Sequence, residues 1–303
     1  MAINKMMLDK LKSKNFSAFV LHALSAATVV FLYIYYKSEP FSNATIYRYD
    51  FAGPEDLAGT CSTGSVQPGQ CNTDENFTKP HDMFSINVIF ACLAFFIFTA
   101  FAHLFYATDG FHSGAYSRVI RAGWNPYRWG EYAISASIMT VIVGLVQGIR
   151  DASTLGSLVA ITAGMQLCGL AVESNLKYAI KNVNTDSVTS STSAGWLLFA
   201  GLWGVLILNF ALAVSIIDSK YAGADPPIRI PTWVWIVVFL NLVYYALFGI
   251  VQWFHIRSRL NSPNFNYDNV EYWYINLSYI SKLSLAAGVS YGLILRTKDC
   301  PQP

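Results

Sequence analysis

The chain has 303 residues, 54% of them hydrophobic and only 13% charged, with a mean hydropathy of +0.38. That balance excludes an ordinary soluble domain, and a net charge of +2 without a clustered basic patch gives no footing for nucleic acid. The length fits one bundle of several membrane-crossing segments, and no repeat, low-complexity tract or second domain interrupts it, so residues 1–303 read as one unit.

Runs of about 20 apolar residues predict seven spans, at 16–36, 83–106, 127–149, 154–176, 193–217, 231–254 and 271–295. The first is too long for a signal-peptide core and lacks a small-residue cleavage site after it, so it is expected to be retained. The loop at 37–82 carries Glu39, Asp50, Glu55, Asp56, Asp74, Glu75 and Asp82, two Asn-x-Thr sequons at Asn43 and Asn76, and the stretch ATIYRYDF, whose composition predicts a short strand. Cys61 and Cys71 in the same loop are either a disulfide in an oxidising compartment or two unpaired thiols. Cys92 and Cys168 lie within spans and are expected to pack as apolar residues.

Charge sets the expected orientation. With the N-terminus inside, the inner segments hold Lys5, Lys10, Lys12, Lys14, Arg118, Arg121, Arg128, Lys177, Lys181, Arg257 and Arg259. Basic residues stay preferentially on the cytoplasmic side, so the N-terminus is expected in the cytoplasm and the C-terminus outside. The fold class that follows is an all-α membrane protein: seven transmembrane helices, with a long extracellular loop containing short β-strands between helices 1 and 2.

Ionisable residues inside the spans point to chemistry. Lys282 stands alone, apart from tyrosines, in YWYINLSYISKLSLAAGVSYG. A central lysine costs roughly 2.5–3.5 kcal/mol on insertion scales, so it is retained for pairing or function. Its side chain leans toward the helix N-terminus, with Ser278 one turn earlier on the same face. Span 3 supplies an anion, Glu131, in NPYRWGEYAISAS, with Arg128 and Ser135 on its face. His22, His103 and Glu173 fall in the same inner half, which predicts one cytoplasmic-side polar layer centred on Lys282 and Glu131. The outer half lacks Asp, Glu, His, Lys and Arg between Glu131 and Arg150 and between Lys282 and Arg296, which argues against a complete proton relay across the membrane.

Blander readings stand beside these. The Lys–Glu pair could be a structural ion pair, and the histidines could be satisfied polar residues near headgroups. His22 and His103 could alternatively ligate a haem in a membrane redox protein. The aromatics of spans 6 and 7 fit core and interface belt as well as a pocket.

A seven-span bundle with a lysine in span 7 and a carboxylate in span 3 suggests a retinal protein, the amine condensing with an aldehyde and the carboxylate serving as counterion. Ser278 stands where microbial rhodopsins usually have a second carboxylate, and the chain reads N-in rather than N-out. With those departures, RWGEYAISAS, LSYISKLSLA, FTAFAHLFYA and His22 resemble the heliorhodopsin family over essentially the full chain. The resemblance implies all-trans retinal bound covalently as a Schiff base to Lys282, with Glu131 its counterion and Ser278 bonded to the Schiff base. Ser135, Met139, Tyr245 and Phe248 are the candidate pocket residues. His22, His103, Arg128, Tyr132 and Glu173 form the expected proton-accepting cavity. It further implies a homodimer, slow photocycles and, for most members, no pumping. The leading expectation is a light sensor among membrane lipids, with no enzymatic activity and no metal, read out by a cytoplasmic signalling partner. A light-activated proton conductance is the competing expectation.

Overall fold

The computed structural model describes residues 5–36, 43–51, 78–178, 185–220, 229–261 and 267–299. Cys61, Cys71, Cys300 and the Asn76 sequon position lie outside the described residues. In chain order the elements are α1 (Lys5–Tyr36), β1 (Asn43–Phe51), β2 (Thr78–Asn87), α2 (Val88–Ala107), α3 (Ala115–Arg121), α4 (Pro126–Val146), α5 (Ala152–Tyr178), α6 (Thr185–Lys220), α7 (Thr232–Asn261) and α8 (Asp268–Asp299). α1 packs on α2 and α8, α2 on α4, α4 on α5, α5 on α6, and α7 on α8, so the long helices form a ring.

Side-chain spacing explains which face each helix turns inward. In α1 the buried residues are Leu8, Leu11, Asn15, Ala18, His22, Ala26 and Val29, separated by three or four positions, which is one stripe of an α-helix. Phe16, Leu24, Phe31 and Ile34 face outward and are more than half exposed, as helices bathed in hydrocarbon require. Where lipid replaces water, close packing rather than the hydrophobic effect holds such helices together.

Six helices among the described residues are long and apolar enough to cross a membrane, namely α1, α2, α4, α5, α6 and α7. α8 has 32 residues and closes the ring between α7 and α1, yet its polar content keeps it out of that set. The second apolar run was expected to become helical at 83; the helix begins at Val88. The reason is local: Asn87 Oδ1 accepts hydrogen bonds from Ile89 N (3.0 Å) and Phe90 N (3.1 Å), capping the helix there, while residues before it belong to β2. α1 instead begins well before its apolar run, at Lys5.

β1 and β2 form an antiparallel pair running from Asn43↔Asn87 to Phe51↔Thr78, with an irregularity at Ile46/Tyr47. Ala44 and Ile46 alternate with exposed Thr45 and turn into the core. Tyr47 N donates to Arg150 O (3.1 Å), which seats the hairpin on the α4–α5 turn. Asp151 then starts α5 by accepting from Thr154 N (2.6 Å).

The interior has two apolar clusters. The larger is built around Phe95, Phe96, Ile142, Leu158, Leu206 and Leu285. The smaller is aromatic, with Tyr106, Tyr116, Trp129, Tyr132 and Tyr274. Polar side chains of α1, α2, α4 and α8 sit among them.

Candidate functional site

Lys282 is 2% exposed and Glu131 6%. Lys282 Nζ donates to Glu131 Oε1 at 3.2 Å and to Ser278 Oγ at 2.8 Å, so the amine reaches back one helical turn, as side-chain direction dictates. Glu131 Oε1 also accepts from Thr99 Oγ1 of α2 at 2.7 Å. One carboxylate oxygen thus serves an ammonium and a hydroxyl from two different helices. Lys282 Nζ also stands 5.3 Å from the centroid of the Tyr132 ring.

The single expected polar layer separates into two. Arg128 does not turn toward Glu131; its guanidinium pairs with Glu173 of α5 and Glu271 of α8, all three fully buried. At the very start of α4, its long side chain meets carboxylates at the ends of α5 and α8, while Glu131 one turn further on faces α2 and α8. Asn125 reinforces the cluster, donating through Nδ2 to Glu271 (2.7 Å) and through its backbone N to Glu173 (3.0 Å). Tyr267 OH donates to Glu173 (3.1 Å), and the guanidinium lies 3.9 Å above the Tyr274 ring.

His22 and His103 stack on each other, with centroids 5.2 Å apart and 28° between the rings. That arrangement corrects the haem reading, because two imidazoles in face-to-face contact leave no space for a porphyrin between them. His22 Nδ1 bonds Ala18 O (2.7 Å), and His103 Nδ1 bonds Asn15 Oδ1 (2.8 Å). Asn15 Nδ2 in turn donates to Tyr116 OH (3.0 Å), which contacts Glu271 Oε1 at 3.5 Å. Side chains therefore run from the histidines to the Arg128 cluster.

Beside Lys282 opens a cleft with about 840 Å³ of unfilled space, its mouth included. α4 contributes Trp129, Tyr132, Ser135 and Met139; α6 gives Trp196 and Phe199; α7 gives Tyr245, Phe248 and Gln252; and α8 gives Ser281 and Lys282. Tyr245 OH bonds Ala136 O and Thr140 Oγ1, each at 2.8 Å, which fixes its ring in the wall. Tyr132 OH donates to Tyr274 O (3.0 Å). The structure thus gathers Lys282, Ser135, Met139, Tyr132, Tyr245 and Phe248 on one cleft.

A family model described as Heliorhodopsin matches residues 11–294. The chain belongs to the heliorhodopsin family. It is a multi-pass integral membrane protein. No curated protein matches the chain. Heliorhodopsins are retinal-binding, light-sensing rhodopsins, and the residues of this one suit that group. A buried primary amine opens onto a long aromatic cleft. Ser135 Oγ, buried in the cleft wall, has no hydrogen-bond partner among the described residues. Gly169 lets the Trp129 ring lie flat on α5, since a Cβ there would fall 2.2 Å from the ring.

Several residues of this heliorhodopsin were not singled out from sequence. Thr99 lies four positions before His103, and Glu271 seven before Ser278, so helical spacing places each on a face already marked as polar. Asn15 and Tyr116 carried no such signal, and neither did His255, whose Nδ1 stands 3.6 Å from Glu173 Oε1.

Proposed function

We propose that this heliorhodopsin is a light-sensing photoreceptor carrying all-trans retinal on Lys282, with Glu131 as the counterion. The observation that supports this most is the buried Lys282 amine, 3.2 Å from Glu131 and opening onto an aromatic cleft. Held there on Lys282, retinal would supply visible absorption and a light-driven isomerisation. Glu131 balances the positive charge at Nζ, Thr99 holds Glu131 in place, and Ser278 aims the nitrogen. A proton leaving Nζ has Glu131 Oε1 as its nearest carboxylate, with the His22–His103 pair beyond. Neutralising the pair removes the attraction between α4 and α8, and the helices repack for a cytoplasmic signalling partner to read.

In this reading α8 is the seventh span, and the basic segments at Lys5–Lys14, Arg118–Arg121 and Arg257–Arg259 face the cytoplasm. The hairpin then lies outside. The protein works as a homodimer in the membrane and neither pumps ions nor catalyses a reaction on a separate substrate. Purified protein given retinal should absorb in the visible, and hydroxylamine under illumination should bleach it. A wild-type protein that stays colourless would sink this reading.

The hydrogen-bonded chain from His103 to Glu271 favours one competitor, a light-activated proton conductance, for the inner half only. Voltage-clamped cells under illumination separate the two: a sensor passes no current.

A further inference from the structure

Arg128, Glu173, Glu271 and His255 come from α4, α5, α8 and α7, and none is more than 3% exposed. One guanidinium faces two carboxylates, so the cluster in its ionised form carries a net negative charge with little water to solvate it. An uncompensated buried charge is among the most expensive arrangements in a protein, and binding one proton removes it. His255 stands beside the excess charge, its Nδ1 3.6 Å from Glu173 Oε1 and its ring 5.3 Å from that of Tyr267.

We infer that these four residues form a second proton-binding centre, separate from the Lys282–Glu131 pair, which holds one exchangeable proton on His255 facing the carboxylates. Uptake adds a proton from the aqueous phase to the His255 imidazole, whose Nδ1 faces Glu173 Oε1, and no covalent bond breaks. The groups facing that proton are Arg128 from α4, Glu173 from α5, Arg259 one turn further along α7, and Tyr267, Glu271 and Tyr274 from the α8 side. α6 brings apolar Val188 to the same layer, against Ile256, and its Asp186 is exposed at the helix start. Buried Asp268 opens α8 one turn before Glu271.

The two centres are linked. From Glu271 the chain runs through Tyr116 and Asn15 to His103, which stacks on His22 beside the first pair. The charge state of the inner centre therefore sets the field at Lys282, and acidity on its own side of the protein tunes the light-reactive pair. Only this optical consequence rests on the photoreceptor reading; the proton site stands on its own geometry.

The test is an infrared difference spectrum of the purified full chain between about pH 8 and about pH 4, the range covering histidine and carboxylate titration, without retinal. Isotope-labelled histidine identifies the imidazole bands. The wild type should show coupled carboxyl and imidazole bands that vanish in both His255→Gln and Glu271→Gln and persist in Glu131→Gln. Proton uptake in Glu271→Gln should fall by one proton per molecule. Bands that survive either inner variant, or that disappear with Glu131→Gln, would overturn the inference. Glu271→Gln keeps the side chain's shape and one of its two acceptor oxygens, so it gives up one of the bonds from Asn125 and Arg128; with a cooperative melt showing that it folds, it decides the matter even if His255→Gln does not. A colourless wild type with retinal would instead count against the photoreceptor reading and leave the infrared result standing.

Discussion

Lys282 Nζ and Glu131 Oε1 lie 3.2 Å apart, each side chain buried and each on a different helix. Removing one member of such a pair leaves the other as an uncompensated buried charge, a loss of about 3–5 kcal/mol. Glu131→Gln should therefore lower the melting temperature of the retinal-free protein. With retinal, it should shift the visible band strongly to the red, since Glu131 stabilises the positive charge at Nζ in the ground state and that stabilisation is lost. Lys282→Ala should form no covalent pigment. Absorption spectra and thermal melts of the three proteins check this, and unchanged colour in both variants would remove the assignment.

Thr99 Oγ1 donates to the same Glu131 oxygen at 2.7 Å. A hydrogen bond to a charged group contributes about 1.5–3 kcal/mol, and nearly isosteric Thr99→Val deletes it with little change in volume. We expect a loss of that order in thermal stability, together with a band shift in the retinal-loaded protein. Thr99→Ser, which keeps the hydroxyl, should recover most of both. Equal melting of the Val and Ser variants would show that the hydroxyl contributes nothing.

These two tests also mark how far the sequence was legible. Lys282, Ser278 and Glu131 could be read because helix periodicity and side-chain direction are local rules, and a buried ion in an apolar run stands out. Six of the long helices could be read for the same reason. The split of the polar layer could not, because Arg128 chooses between Glu131 three residues away and carboxylates 45 and 143 positions distant in the chain. That choice depends on how helix ends meet in space. The start of α2 was missed where a single Asn87 cap overrode an apolar run that continued on both sides. His255 reads in sequence as one more polar residue near the end of an apolar run.

Gly169 and Trp129 make the cleft wall testable. A Cβ at Gly169 would come within 2.2 Å of the Trp129 ring, which is 5% exposed and whose open side is the cleft. Overpacking of this kind costs about 1–3 kcal/mol, so Gly169→Ala should be less stable and, with the ring pushed into the cleft, should take up retinal poorly. Gly156→Ala, a position on the same helix where a Cβ meets nothing within 4 Å, is the matched control and should behave as wild type. Comparable pigment yield in the two variants would show that the Trp129 ring does not limit the cleft.

The last prediction concerns acidity outside the spans. Asp109 lies in the turn between α2 and α3, where Asp109, Gly110, Phe111 and His112 all have positive φ, from 49° to 69°. Three of these are not glycine, so the turn is strained and must be held by contacts. Lys12 Nζ (2.8 Å), Ser117 N (2.7 Å) and Ser117 Oγ (2.6 Å) all donate to the Asp109 carboxylate. Partial burial acts to raise the carboxyl's pKa, but the hydrogen bonds from Lys12 and Ser117 outweigh it and hold the pKa below its ordinary 3.8. A carboxylate depressed on folding contributes stability that is fully present above its unfolded value and is lost as pH falls through the folded one. Asp109→Asn should therefore melt earlier than wild type at neutral pH, by about 1 kcal/mol or less for so accessible a pair. The two melting curves should converge once the pH drops below the ordinary carboxylate range. Added salt should narrow the neutral-pH gap, because part of it is the screened attraction to Lys12. A gap that stays constant down to strongly acidic pH would assign the effect to the shape of the turn and not to the charge of Asp109.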